Sequence, residues 1–210
     1  MSRRDVYDAL GALAFGYGVL DDRRARTYAS AQRALRGVKD DLGEALASGR
    51  LAEVKGVGPK VLGIVRDVLA GDEPAALADV RARVPAGLFA IGRIRGLGPA
   101  KVRALWQALD ITSPAELEYA CKENRLLDLE GFGARSQAAI CEGLALLRAR
   151  EGLCRLDEAW AEANEALALL RAHPDVVDAA LVGAARRGLE AVPGVDLLVA
   201  GPEAAVRAAL

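Results

Sequence analysis

The sequence predicts a mainly α-helical chain that passes, near its end, into the opening of an α/β domain. Three observations predict it. Gly-apolar-Gly recurs as Gly56-Val57-Gly58, Gly96-Leu97-Gly98 and Gly131-Phe132-Gly133, each time between apolar runs at helical spacing. Ser113-Pro114-Ala115-Glu116 reads as a capping box at a helix start. After residue 150 the texture changes: an acidic, amphipathic helix over 156–172 is followed by two β-rich runs, 176–182 and 195–199.

Taken in order, residues 5–16 place Val6, Leu10, Leu13 and Ala14 at helical spacing behind Asp5 as a cap. A second helix over 21–36 carries five arginines with Tyr28 among them. A third, over 38–47, ends at Ser48-Gly49, and 51–54 leads into the first hairpin. Gly71 and Pro74 mark a boundary, so residues 1–74 are expected to form a first helical domain. Residues 75–150 form a second. It holds a helix over 76–83, the hairpin at Gly96, a helix over 100–109, the helix begun at Ser113 and the hairpin at Gly131. The last part, 151–210, opens a sheet too small to stand alone, which reads as the front of a longer protein.

Each hairpin has one physical reading. A very short turn between helices must visit backbone angles that side chains resist, so both ends are glycine and the residue between them plugs inward. Val57, Leu97 and Phe132 are those plugs. The next helix then starts with free N–H groups facing outward, with Pro59 and Pro99 in the first turn where a missing N–H costs little. Such a helix end attracts phosphate, and Lys60, Lys101 and Arg135 follow it within three residues. The alternative is three tight turns with no ligand. Two copies with Gly-Pro and lysine favour backbone-phosphate binding, while the third lacks Pro and is balanced between the two readings.

Charge agrees with that placement. The net charge is −1, yet residues 1–150 carry 23 Lys and Arg against 19 Asp and Glu, and residues 151–210 carry 5 against 10. Cys121, Cys141 and Cys154 lack zinc spacing and read as reduced thiols. His173, the single histidine, excludes His-dependent triads and reads as a surface turn beside Pro174. With no signal peptide and no long apolar run, the expected place is the cytoplasm, away from membranes.

The hairpins resemble the helix-hairpin-helix, an element that grips the sugar-phosphate chain without reading base order. The order of parts resembles the front of a bacterial family X DNA polymerase. That resemblance is carried by the run 94–109, by Ile111-Thr112-Ser113-Pro114-Ala115-Glu116-Leu117 leading on to Leu129-Glu130-Gly131-Phe132-Gly133, and by Gly183-Ala184-Ala185-Arg186-Arg187-Gly188 opening the sheet. It implies a nucleotidyltransferase-like palm beginning at 151, and DNA as partner, gapped, nicked or primer-template, with dNTP as substrate. It also implies Mg2+ or Mn2+ at the palm and a monovalent cation bridging hairpin carbonyls to phosphate. Relatives continue into a thumb and a metal-dependent phosphoesterase domain.

Residue by residue, the resemblance puts DNA contacts at Gly56, Val57, Gly58, Lys60, Gly96, Leu97, Gly98, Lys101, Gly131, Gly133 and Arg135. It puts a 5′-phosphate pocket at Arg24, Tyr28 and Lys60, and nucleotide phosphates at Gly183 and Arg187. Asp196 matches the second palm carboxylate, a metal ligand, but Gly194 stands where the first belongs. Ala184 replaces a hydroxyl residue, and a third carboxylate would lie beyond Leu210. Two-ion nucleotidyl transfer needs carboxylates that clamp both ions, so these departures predict an impaired polymerase centre. The lysine that forms a Schiff base in lyase-active members is Ile64 here, and isoleucine forms no imine. The alternative function is a non-catalytic DNA-binding scaffold that places a C-terminal phosphoesterase or nuclease on DNA. A helical protein-interaction module ranks third, since a protein partner does not need exposed Gly-Pro-Lys turns.

Overall fold

The computed structural model describes residues 2–209. In the first unit, residues 1–145, the chain runs α1 (Arg3–Val19), α2 (Arg24–Arg36), α3 (Leu42–Ala47), α4 (Arg50–Glu53), α5 (Pro59–Ala70), α6 (Ala75–Arg83), α7 (Ala86–Ile91), α8 (Pro99–Leu109), α9 (Pro114–Lys122), a 3-10 turn (Arg125–Asp128) and α10 (Ala134–Ala149). The expected helices are all present, with shifted starts. Ser2, not Asp5, caps α1: Asp5 is the third helical residue, its N–H donates to the Ser2 hydroxyl, and its carboxylate accepts the Ser2 N–H at 2.5 Å. The helix expected from 21 begins at Arg24, because Asp21 adopts φ 58° and the Asp22 carboxylate accepts the Arg24 N–H at 2.8 Å. The helix expected from 38 begins at Leu42, where Asp41 caps the Gly43 and Glu44 N–H groups. The Ser113–Glu116 capping box forms as the sequence predicts. Helix α7 was not expected; it is a short run between Pro85 and the second hairpin.

Helix α1 is the spine of this unit. Val6, Leu10, Leu13 and Tyr17 are fully buried along it, and it packs against α2, α5, α6, α7 and α8. At Gly16 an added Cβ would stand 2.2 Å from Val80, and at Gly18 2.7 Å from Pro99, so both glycines permit close helix approach. The turn at 71–74 expected to divide two domains therefore lies inside one continuous core, which runs from Val6 to Leu144.

The second unit, residues 146–210, holds β1 (Cys154–Arg155), α11 (Leu156–Ala172), β2 (Asp178–Val182), α12 (Gly183–Arg186), β3 (Ala191–Val192), β4 (Asp196–Ala200) and α13 (Glu203–Ala209). Strand β2 pairs antiparallel with β4, Val182 opposite Asp196; β1 pairs antiparallel with β3. Leu167 and Leu170 of α11 pack on Ala179 of β2, and Ala159 packs with Ala185 and Val192. The two long strands are those the apolar runs predict. The two-residue pair β1–β3 is too short for any periodicity to announce. Among the described residues no helix is long and apolar enough to cross a membrane.

Candidate nucleic-acid interface

The three hairpins share one backbone. Gly56, Gly96 and Gly131 hold φ of 97°, 89° and 82°, the left-handed region that favours glycine. The plug N–H then closes the turn: Val57 donates to the Val54 carbonyl at 2.9 Å, Leu97 to Ile94 at 3.0 Å, and Phe132 to Leu129 at 3.1 Å. All three plugs are buried. The second glycine differs from expectation. Gly58 and Gly98 sit at φ −91° and −76° with ψ near extended, ordinary backbone for any residue. Nothing lies within 4 Å of a Cβ built at Gly58, Gly98 or Gly133. Neither conformation nor internal packing requires glycine there; what its small size leaves open is the approach from solvent to the helix N-terminus.

At the first two copies that N-terminus is unsatisfied. No side chain caps α5 or α8, and among the described residues neither the Gly58 nor the Gly98 N–H meets an acceptor. A helix start keeps several such donors, which attract anions. The third copy is different. The Gly133 N–H donates to the Ser136 hydroxyl at 2.8 Å, so one outward donor is consumed within the protein.

Lys60 and Arg135 are exposed, and among the described residues neither has an acidic partner. Lys101 is half-buried, its ammonium 5.2 Å from the centroid of the Phe132 ring. Helix α10 is held against the second hairpin by Gly143, where a Cβ would meet Ile94 at 2.4 Å. The second and third hairpins are thus one packed pair.

Arg24 and Tyr28 come together through a residue that sequence reading missed. Tyr17 stacks on Tyr28 with ring centroids 5.6 Å apart, the Arg24 guanidinium lies 4.0 Å over the Tyr17 ring, and its Nη1 donates to the Tyr17 hydroxyl at 3.1 Å. Asp22 accepts from the same guanidinium at 2.7 Å, an ion pair that draws the Asp22 carboxyl down to about 2 and raises Arg24. Burial raises the hydroxyl pKa of Tyr17 and Tyr28. Tyr17 continues the buried face of Leu10 and Leu13 one residue past the helix end expected at 16. Arg24 is already charge-paired, and among the described residues no hydrogen bond or ion pair joins Lys60 to this cluster. Ile64 is buried, an apolar core side chain and no nucleophile.

In the second unit, Asp196 opens β4 and its carboxylate stands against Gly183, where an added Cβ would meet Oδ2 at 2.0 Å. Gly183 has φ 67°, and the exposed Arg187 ends α12. Gly194, two residues before Asp196, has φ 157°, a backbone that a carboxylate-bearing residue rarely adopts. The described residues include no group of three His, Cys, Asp or Glu that could hold a metal ion. Cys121, Cys141 and Cys154 are free thiols; burial pushes Cys121 up to about 12.

Comparison with known proteins follows this geometry. Residues 90–145, which contain the second and third hairpins, match the SAM-like helix-hairpin-helix tandem family. Over 150 residues the chain is 23% identical to DNA polymerase/3′-5′ exonuclease PolX of Bacillus subtilis (strain 168), covering 71% of this chain and 26% of that relative. The chain thus spans about a quarter of the length of the curated relative it matches. Both findings agree with the resemblance to a bacterial family X DNA polymerase.

Proposed function

We propose that this chain is the DNA-binding part of a family X DNA polymerase that acts on gapped or broken DNA in repair, with an impaired polymerase centre. One observation carries the DNA reading. Gly58 and Gly98 present free N–H donors at helix starts, and neither the fold nor the backbone demands glycine there. A phosphate fits that requirement, being an anion that must approach the main chain closely. Lys60 and Lys101 add charge beside each start without specifying sequence, so binding is independent of base order.

Contacts to phosphate of this kind serve gapped, nicked and primer-template DNA alike. Preference for a gap comes from the 5′-phosphate, for which Arg24 and Tyr28 form the pocket and Lys60 the mobile cation. That site works only if the incoming phosphate displaces Asp22 from Arg24. On the palm side, Gly194 in the place of the first palm carboxylate and Ala184 in the place of a hydroxyl residue support a degenerate or at best weakly active centre for nucleotidyl transfer from a dNTP with Mg2+ or Mn2+.

Titration of labelled gapped duplex with the 210-residue chain tests the reading. Binding is expected to be tighter when the gap carries a 5′-phosphate, to weaken steeply as salt rises, and to lose the phosphate preference in Lys60→Ala. Binding that is indifferent to salt and to Lys60 would overturn it.

A further inference from the structure

The third hairpin repeats the backbone of the other two but not their open donor, and the difference assigns it another task. We infer that it is a support for the second hairpin rather than a third phosphate grip: its plug, Phe132, is the aromatic perch that holds Lys101 at the start of α8. The inference rests on the phosphate-binding reading of the first two hairpins.

Three observations converge on it. The Gly133 N–H is taken by the Ser136 hydroxyl at 2.8 Å, and the same hydroxyl donates to the Gly133 carbonyl at 2.9 Å, so this glycine is closed at both polar ends. At the corresponding places, three residues after Gly58 and Gly98, stand Val61, which has no polar atom, and Lys101, whose ammonium donates but accepts nothing, so the two N–H donors stay open. The Lys101 ammonium lies 5.2 Å from the Phe132 ring centroid, within reach of the ring's negative face. Val57 and Leu97 are aliphatic plugs; the aromatic one occurs only where a lysine from a neighbouring hairpin lies over it. A lysine stem has several rotatable bonds, and a buried ring beneath its ammonium limits where it points before DNA arrives. Phe132 is therefore a positioning residue, acting through Lys101.

The prediction separates this role from simple packing. On gapped duplex, Phe132→Leu, which keeps an apolar plug but removes the ring, is expected to weaken binding about two- to fivefold. Phe132→Tyr retains wild-type affinity. In a Lys101→Ala background Phe132→Leu has no further effect, which a general packing role would not give. Gly133→Ala and Arg135→Ala each weaken binding less than Lys101→Ala does, with folding of every variant checked by thermal melting. A readout without DNA accompanies these: the Lys101 ε-methylene protons show a ring-current shift by NMR that Phe132→Leu abolishes.

Weakening by Gly133→Ala or Arg135→Ala as large as that of Lys101→Ala would make the third hairpin a direct grip and overturn the inference while leaving the DNA reading intact. Additive loss in the double variant would overturn it as well. If Lys101→Ala binds as wild type, the perch loses its role while the DNA reading stands; if the wild-type chain itself does not bind gapped duplex, the DNA reading fails, even where the ring-current shift persists.

Discussion

At φ 97° Gly56 occupies backbone that an L side chain resists, whereas Gly58, at φ −91°, occupies ordinary backbone with open space where a Cβ would stand. The same contrast holds for Gly96 and Gly98. Gly56→Ala or Gly96→Ala is therefore expected to cost about 1–2 kcal/mol of stability, and Gly58→Ala or Gly98→Ala less than about 0.5 kcal/mol. Denaturant unfolding of the single variants measures both; equal losses at the two positions would contradict the assignment. The motif itself was legible because Gly-apolar-Gly with Pro and Lys is a local pattern. The unequal reasons for its glycines were not, since φ at one residue depends on the path of the whole turn. The Ser136 closure was equally hidden: serine three residues after Gly133 bonds back only when the rotamer and the helix start coincide. Tyr17 was missed because the expected helix stopped at 16, and no local pattern says that its hydroxyl meets Arg24 and Asp79.

Among elements, α1 and β4 show what pattern can and cannot say. Period-3.6 spacing in α1 correctly names Val6, Leu10 and Leu13 as buried, but it is silent on which helices bury them. That α1 serves both α5 and α8 explains why the boundary read at Gly71–Pro74 is a turn within a shared core. Gly16 and Gly18 are the places where Val80 and Pro99 come closest. Strand β4 was legible from its apolar run, and so was the vacancy at Gly194 opposite the expected carboxylate. Its φ of 157° adds only that a side chain there would be strained. Templated primer extension by the full-length protein, with magnesium and then manganese, is expected to yield little or no product, and robust extension would overturn the impaired-centre proposal.

Across the whole molecule, the mainly α class with a sheet opening near its end was legible from repeats and texture alone. The hairpins fall in the part that carries excess Lys and Arg, and the acidic excess lies after residue 150. Such a distribution raises the local encounter rate with a polyanion although the net charge is only −1. The central claim is narrower than charge: DNA is held by main-chain donors at two helix starts, kept open by two glycines. Affinity of the Gly58→Ala, Gly98→Ala double variant for gapped duplex, measured beside its melting temperature, tests it most directly. Added methyls in the approach path are expected to lower affinity at least about tenfold, from hydrogen bonds to a charged group that no longer form, with melting unchanged. Wild-type affinity in that folded variant would contradict the claim and leave the hairpins as turns.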